Sequence, residues 1–351
     1  HLSCVLYVNG QYWGVYDLRE KVDDADFTKY YYDQDEFDID YIKTWGATWS
    51  EYGSSTDWYT LKNFILNNNM AIPANYANAE QQLDFLSLID YVIINQHSVC
   101  KDWLNWNTAW WRGNNPAGGA KRGRYTGPTA DPCDVEQISN SGDPQNHIDI
   151  FMALYANQQF KDLYVNRYAD LLNTSLSCEY MNALLDSMTN VIAPEMAQQC
   201  TRWGGNVGQW NQNVTTLHNF INTRCQVLEP AIVDCYDVTG PFELTVKIDP
   251  AASPNQVTVN TITPTIYPYI GNYFGGVNMN LIAKPATNWL FDHWEVNGNT
   301  FGPDQYADAI LLAFQTTGEV TAFFVETTSC NLSTDVTIST TVGAAQMDWT
   351  D

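Results

Sequence analysis

The sequence predicts an α+β protein, with a mixed domain of strands and helices followed by a small all-β domain. Three observations carry that expectation. The chain opens on CVLYVNGQYWGVYD, Cys4 to Asp17, where two runs rich in Val, Tyr and Trp flank Asn9 and Gly10, turn residues that tolerate positive φ. From His147 to Val238 apolar residues recur at helical spacing. Beyond Gly240 and Pro241 the pattern changes to the strict alternation of half-buried strands, as in FELTVKID at Phe242 to Asp249.

The elements follow in order. The opening stretch is a β-hairpin, and the polar run from Leu18 to Asp23 leads into a helix signalled by Asp26, Phe27 and Tyr30. Ile39 to Trp45 reads as a short strand with Lys43 near its end. Trp58 to Asn67 reads as a helix terminated by Asn67, Asn68 and Asn69. Phe85, Leu88, Ile89, Val92 and Ile93 form the stripe of a helix pressed onto a core, and Ala109, Trp110 and Trp111 form an apolar run. Further on, Ile148, Phe151, Leu154 and Tyr155 define one core face. Phe160, Leu163, Tyr164, Arg167, Tyr168, Leu171 and Leu172 define another. Met181, Leu184, Leu185, Met188 and Ile192 continue the pattern, Pro194 and Glu195 open a further helix, and Leu217, Phe220, Ile221 and Cys225 mark the last one. In the β domain Val257 to Thr261 and Val320 to Val325 are further strands, and Phe291 and Trp294 read as core packing. The Ser/Thr-rich stretch after Cys330 reads as a linker and the start of a further domain, and His1 stands so close to a strand-like run that a preceding segment is expected. The expected boundaries are 1–238, 241–327 and 328–351.

Composition narrows the partners. Sixteen basic against forty acidic residues give a formal net charge of −24, which disfavours nucleic acid and anionic membrane surfaces. No run of eighteen apolar residues occurs, so no membrane span is expected. The eight cysteines include no CxxC pair, which favours disulfides of an oxidising compartment over zinc. Cys225 with Cys235, or Cys178 with Cys200, would close the shortest loops, but pairing is not fixed by spacing. Cys100, in an apolar setting, reads equally well as a buried thiol. His147 and His218 lack partners at metal-ligand spacing.

The stretch DFLSLIDYVIINQHSVCKDWLNWNTAWWR, Asp84 to Arg112, places a polar cluster directly after a buried helix. Asp102 and Asn107 stand five residues apart with Trp103 and Trp106 between them. In phosphotransferases an aspartate that takes the acceptor's proton precedes a magnesium-binding asparagine by the same interval. Spacing alone describes many turn-forming pairs equally well.

Taken together, YVNGQYWGVYDLREKVD, KDWLNWNTAWWR, FKDLYVNRYADLLNTSLS, VIAPEM, RWGGNVGQW and LHNFINTR resemble the CotH kinase-like family, in the family's order and over about residues 1 to 240. The resemblance implies a diverged protein-kinase-like domain, with a β-rich small lobe, a helical large lobe and ATP between them. It implies Asp102 as the catalytic aspartate and Asn107 as a ligand of Mg2+. Lys43 would be the nucleotide-binding lysine, and Glu20 the glutamate that follows the opening strands. Read without the family, Glu20 is a helix-start acid beside Lys21, and Lys43 a surface strand lysine. The segment VNMNLIAKPATNWLFDHWEVNG resembles small β repeats of bacterial surface proteins.

One departure stands against these matches. Where the family carries a tryptophan and two metal-binding aspartates on a further strand, this chain reads GNNPAGGAKRGRYTGPTADPCD, with Asp131 and Asp134 in a Pro-rich loop. Either the nucleotide site is vestigial, or residues are missing between about Ala120 and Tyr125. Lys121, Arg122 and Arg124 read as a solvated loop cluster, with phosphate binding as the alternative. Two functions follow from the resemblance. One is a secreted, bacterial cell-surface kinase that moves the ATP γ-phosphate to Ser or Thr of an extracellular or coat protein. The other is a catalytically inactive structural or adhesive module of a cell-surface or filament protein, in contact with neighbouring subunits. The kinase reading requires Asp102 and Asn107 to face one cleft beneath the amino-terminal sheet.

Overall fold

A computed structural model of the chain describes residues 2–21, 25–100, 104–115, 124–125, 142–327, 337–341 and 344–348. The architecture is α+β, and it divides into two compact units. The first comprises His1–Glu243 with Gly271–Met279 and Ala313–Thr317; the second comprises Leu244–Ile270, Asn280–Leu312 and Gly318–Asp351.

The first unit opens with strands β1 (Leu2–Val8) and β2 (Gln11–Leu18), paired antiparallel through the two-residue turn Asn9-Gly10. Both turn residues take positive φ, 49° and 76°, which matches the strand twist and explains the Asn-Gly signal. This hairpin forms its own two-stranded sheet. It packs on a later helix: Gln199 Oε1 accepts the Val15 N–H at 3.0 Å, and Trp203 Nε1 donates to the Trp13 carbonyl at 2.7 Å. Gly14 permits this approach, since a Cβ there would sit 2.9 Å from both Gln199 and Trp203 side chains.

A second sheet has the order β4-β3-β5-β6, from β3 (Ile39–Trp45), β4 (Ala47–Tyr52), β5 (Thr108–Gly113) and β6 (Arg124–Tyr125). The strand expected at Ile39 to Trp45 is present with those limits. On one face Ile39, Tyr41, Ala109 and Trp111 pack with Ala25, and Tyr32 lies against them, both from α1 (Ala25–Tyr32). On the other face Trp110 stacks on Trp58 of α2 (Thr56–Asn67), with ring centroids 3.8 Å apart, and lies 5.2 Å from the His147 ring. Helices α3 (Pro73–Glu80) and α4 (Phe85–His97) follow α2. Asp84 caps α4 by accepting the Ser87 N–H, and Phe85, Leu88, Ile89, Val92 and Ile93 are all buried, as their spacing predicts.

The helical part comprises α5 (His147–Tyr155), α6 (Gln158–Leu172), α7 (Cys178–Ile192), α8 (Met196–Trp203) and α9 (Val207–Tyr236). Its core differs in detail from the expected faces. In α5, Ile150 rather than Ile148 is buried beside Phe151 and Leu154; in α6, Val165 and Ala169 replace the only partly buried Leu163, Leu171 and Leu172. Phe151 meets Phe160 and Tyr164 edge to face, and the Tyr164 hydroxyl donates to Gln96 Oε1 and is hydrogen-bonded to the Tyr236 hydroxyl. Neither short cysteine loop forms at Cys178. It is joined to Cys225, 47 residues away, which ties the start of α7 to the middle of α9. Cys235 is also disulfide-bonded, and Cys4, Cys100 and Cys200 are half-buried thiols. Among the described residues no helix is long and apolar enough to cross a membrane.

The β region forms two four-stranded sheets, β11-β14-β7-β9 and β12-β13-β10-β8. Its strands are β7 (Thr239–Asp249), β8 (Gln256–Val259), β9 (Tyr269–Gly275), β10 (Asn278–Lys284), β11 (Trp289–Asn297), β12 (Thr300–Gly302), β13 (Ala309–Ala313) and β14 (Gly318–Glu326). Strands β7 and β14 run parallel, from Leu244 opposite Gly318 to Asp249 opposite Phe323. Trp294 is buried and donates Nε1–H to the Ala307 carbonyl at 2.8 Å, with Phe291 at 5.1 Å between centroids. In the Ser/Thr-rich tail, read as a linker, β15 (Thr337–Thr341) and β16 (Ala344–Asp348) pair antiparallel.

Candidate functional site

The β3 strand positions Lys43. Its register sets Lys43 opposite Trp49 of β4 and Ala109 of β5, so the side chain shares a face with Tyr41 and Trp45. The ammonium lies 3.7 Å from Glu51 Oε1 and 5.6 Å from the centroid of the Tyr41 ring. Only 17% of the side chain is exposed, so the charge is sheltered and partly met by a carboxylate.

Glu20 follows β2 and is exposed; it accepts a hydrogen bond from the Tyr31 hydroxyl at 2.8 Å, which raises the pKa of that phenol. Glu20 and Lys43 therefore follow and belong to different sheets, and each has a partner of its own. Asn107 is exposed at the entrance to β5, with φ 61°, a left-handed conformation that asparagine tolerates. Its carbonyl accepts from the Tyr91 hydroxyl at 3.4 Å. Thr44 pairs with Thr108, so Asn107 stands beside the Trp45 end of β3, on the sheet that carries Lys43. Asp102 lies outside the described residues, as do Asp131, Asp134, Lys121, Arg122 and the side chain of Arg124.

The opposite face of the same sheet carries polar groups that the motif reading passed over. Arg112 Nε donates to Asp40 Oδ2 at 2.9 Å, its Nη2 reaches the same oxygen, and its Nη1 bonds Asp57 of α2. Burial works against the Arg112 charge, but the two carboxylates outweigh it and raise the guanidinium pKa. Asp40 Oδ1 also accepts the Ser54 N–H at 2.8 Å. Deeper in, Gln145 links Trp58 Nε1 to Thr48, and Thr48 bonds Thr44. His147 Nδ1 lies 2.8 Å from Asp143 Oδ1. Burial pushes the Asp143 carboxyl upward, and the His147 contact with two backbone N–H groups reverses this and holds it below its ordinary range. His147 thus has a carboxylate four residues upstream, which the reading of isolated histidines missed. An Asp and an Arg inside the apolar runs Ile39 to Ile42 and Ala109 to Arg112 were the available signal, since charges on buried faces are there in pairs.

The cavity lined by Asp40, Trp58, Trp110 and Arg112 is about 30 Å³, room for water and not for a nucleotide. Among the described residues no group of three His, Cys, Asp or Glu could hold a metal ion.

Residues 1–228 match the family described as CotH kinase protein, and the chain belongs to this family. No curated protein and no solved structure matches the chain.

Proposed function

We propose that the protein is a CotH-type kinase that transfers the γ-phosphate of ATP to a Ser or Thr hydroxyl of an extracellular or coat protein at a bacterial cell surface. The family match over residues 1–228 carries the reading. Support comes from the strand register that sets Lys43 and the Asn107 end of β5 on one sheet. In this reading residues 1–238 hold the two kinase-like lobes and 241–327 a surface-repeat-like domain. Asp102 takes the acceptor hydroxyl proton, Lys43 offsets phosphate charge, Glu20 flanks the nucleotide, and the Asn107 amide oxygen is offered to Mg2+. When bound, magnesium would neutralise phosphate charge. Among the described residues no group of three His, Cys, Asp or Glu could hold it, and Asp102, Asp131 and Asp134 lie outside them. The Cys178–Cys225 disulfide accords with an oxidising, extracellular setting.

The lack of the family's aspartate pair in GNNPAGGAKRGRYTGPTADPCD motivates a second reading, in which the fold is a structural or adhesive module of a cell-surface or filament protein, contacting neighbouring subunits. Phosphate transfer from labelled ATP separates the two. The kinase reading expects transfer by the wild type, reduced about 10²–10⁴-fold in Asp102→Asn with folding retained. A wild type that neither transfers phosphate nor gains thermal stability with Mg-ATP overturns it and leaves the structural reading.

A further inference from the structure

We propose that the open corner of the Lys43 sheet, formed by Trp45, Trp49 and Trp106, binds a neutral carbohydrate chain of β-1,4-linked, equatorially substituted hexopyranoses. This goes beyond the phosphotransfer reading and does not depend on it. The face that carries Lys43 is closed at one end, where Ile39 and Tyr41 are buried with Ala25 of α1. At the other end it is open: Trp45 is 63% exposed and Trp49 41%. Two indoles left in water on one small surface are an apolar cost that folding alone does not explain.

These rings are held in place. Trp45 and Trp106 meet at 5.2 Å between centroids and 82° between planes. The Trp106 ring rests on Gly46, where a Cβ would lie 2.7 Å from it, and the Gly46 N–H donates to the Asn105 carbonyl at 2.7 Å. Trp49 Nε1 donates to Glu51 Oε2 at 2.7 Å. A platform fixed before binding loses little rotamer freedom when a ligand arrives.

The chemistry around the rings selects the occupant. Asn107, exposed and next in the chain to Trp106, and the Glu51 carboxylate that accepts from Trp49 bring a donor and acceptors to the corner, the groups that orient sugar hydroxyls. The indoles carry no charge and Lys43 beside them is faced by Glu51, so a ligand seated on the rings gains little from negative charge. A protein partner needs about 800 Å² per side with a core depleted of charge, whereas here Lys43 and Glu51 stand among the rings. Hexopyranoses with all substituents equatorial present flat C–H faces that cover an indole while their hydroxyls point outward to polar neighbours.

Quenching of tryptophan fluorescence by cellohexaose and chitohexaose tests this on the full chain, with adenosine as the competing stacking ligand. The proposal expects saturable binding of at least one oligosaccharide. Affinity should fall at least tenfold in Trp45→Ala and in Trp106→Ala, be largely kept in Trp45→Tyr, and stay unchanged in Tyr306→Ala, an exposed aromatic of the β region. Trp45→Tyr keeps the test valid if an alanine variant fails to fold. Absence of binding by both oligosaccharides at millimolar concentration, equal binding by Trp45→Ala, or a response to adenosine alone overturns the proposal. Phosphate transfer is read separately, so its failure is distinguishable.

Discussion

Replacing both Cys178 and Cys225 with serine removes the bond between α7 and α9 and leaves both helices otherwise intact. The bond closes a loop of 47 residues. The loop-closure entropy released to the unfolded chain grows with the logarithm of loop length, and for this loop it corresponds to about 4 kcal/mol at 25 °C. For a cooperative unit of this size each kcal/mol moves Tm by about 2–4 °C, so the double variant should melt about 8–16 °C below the wild type. Circular dichroism at 222 nm is the suitable readout because both tethered elements are helices. A Tm within 2 °C of the wild type would refute the reasoning, since the tether would then be constraining nothing in the unfolded chain.

Arg112→Met leaves Asp40 buried without its cation and should cost about 3 kcal/mol in urea unfolding, with Asp40→Asn in the same background restoring part of the loss. His97 is buried, and desolvation with the nearby Arg224 charge lowers its pKa from 6.5 to about 4. The unfolded chain therefore takes up a proton that the folded chain refuses. Stability should fall by up to about 3 kcal/mol as pH drops from 6.5 to 4, and His97→Gln should flatten that slope in denaturant titrations at each pH. Gly46→Ala forces a side chain onto a residue at φ 76° and against Trp106; it should cost about 1–2 kcal/mol and abolish the Trp45–Trp106 exciton band in circular dichroism.

Local periodicity made much of the fold legible. The Asn9-Gly10 hairpin, the Ile39–Trp45 strand and the buried stripe of α4 are set by turn chemistry and by side-chain spacing within one element, and each is found where expected. Strand β4 was not legible, because its one-sided burial leaves Ala47 and Glu51 exposed and blurs the alternation. The Cys178–Cys225 pairing depends on how α7 meets α9, a tertiary fact that spacing does not encode. At the candidate site the sequence named Lys43 and Asn107 but not the β3–β5 register that sets them on one sheet. It gave no hint that Glu20 would be engaged by Tyr31, or that Arg112 would bridge Asp40 and Asp57 on the reverse face.

The parallel pairing of β7 with β14 has a mechanical meaning. Because the first and last long strands of the β region run side by side in one direction, the chain comes in near Thr239 and departs near Glu326 at the far end, a strand length of about 30 Å. Tension applied through the two flanking segments would slide these strands lengthwise past each other. Every rung between Leu244 and Asp249 would then be strained together instead of peeling one at a time, as in a joint built to carry a pull.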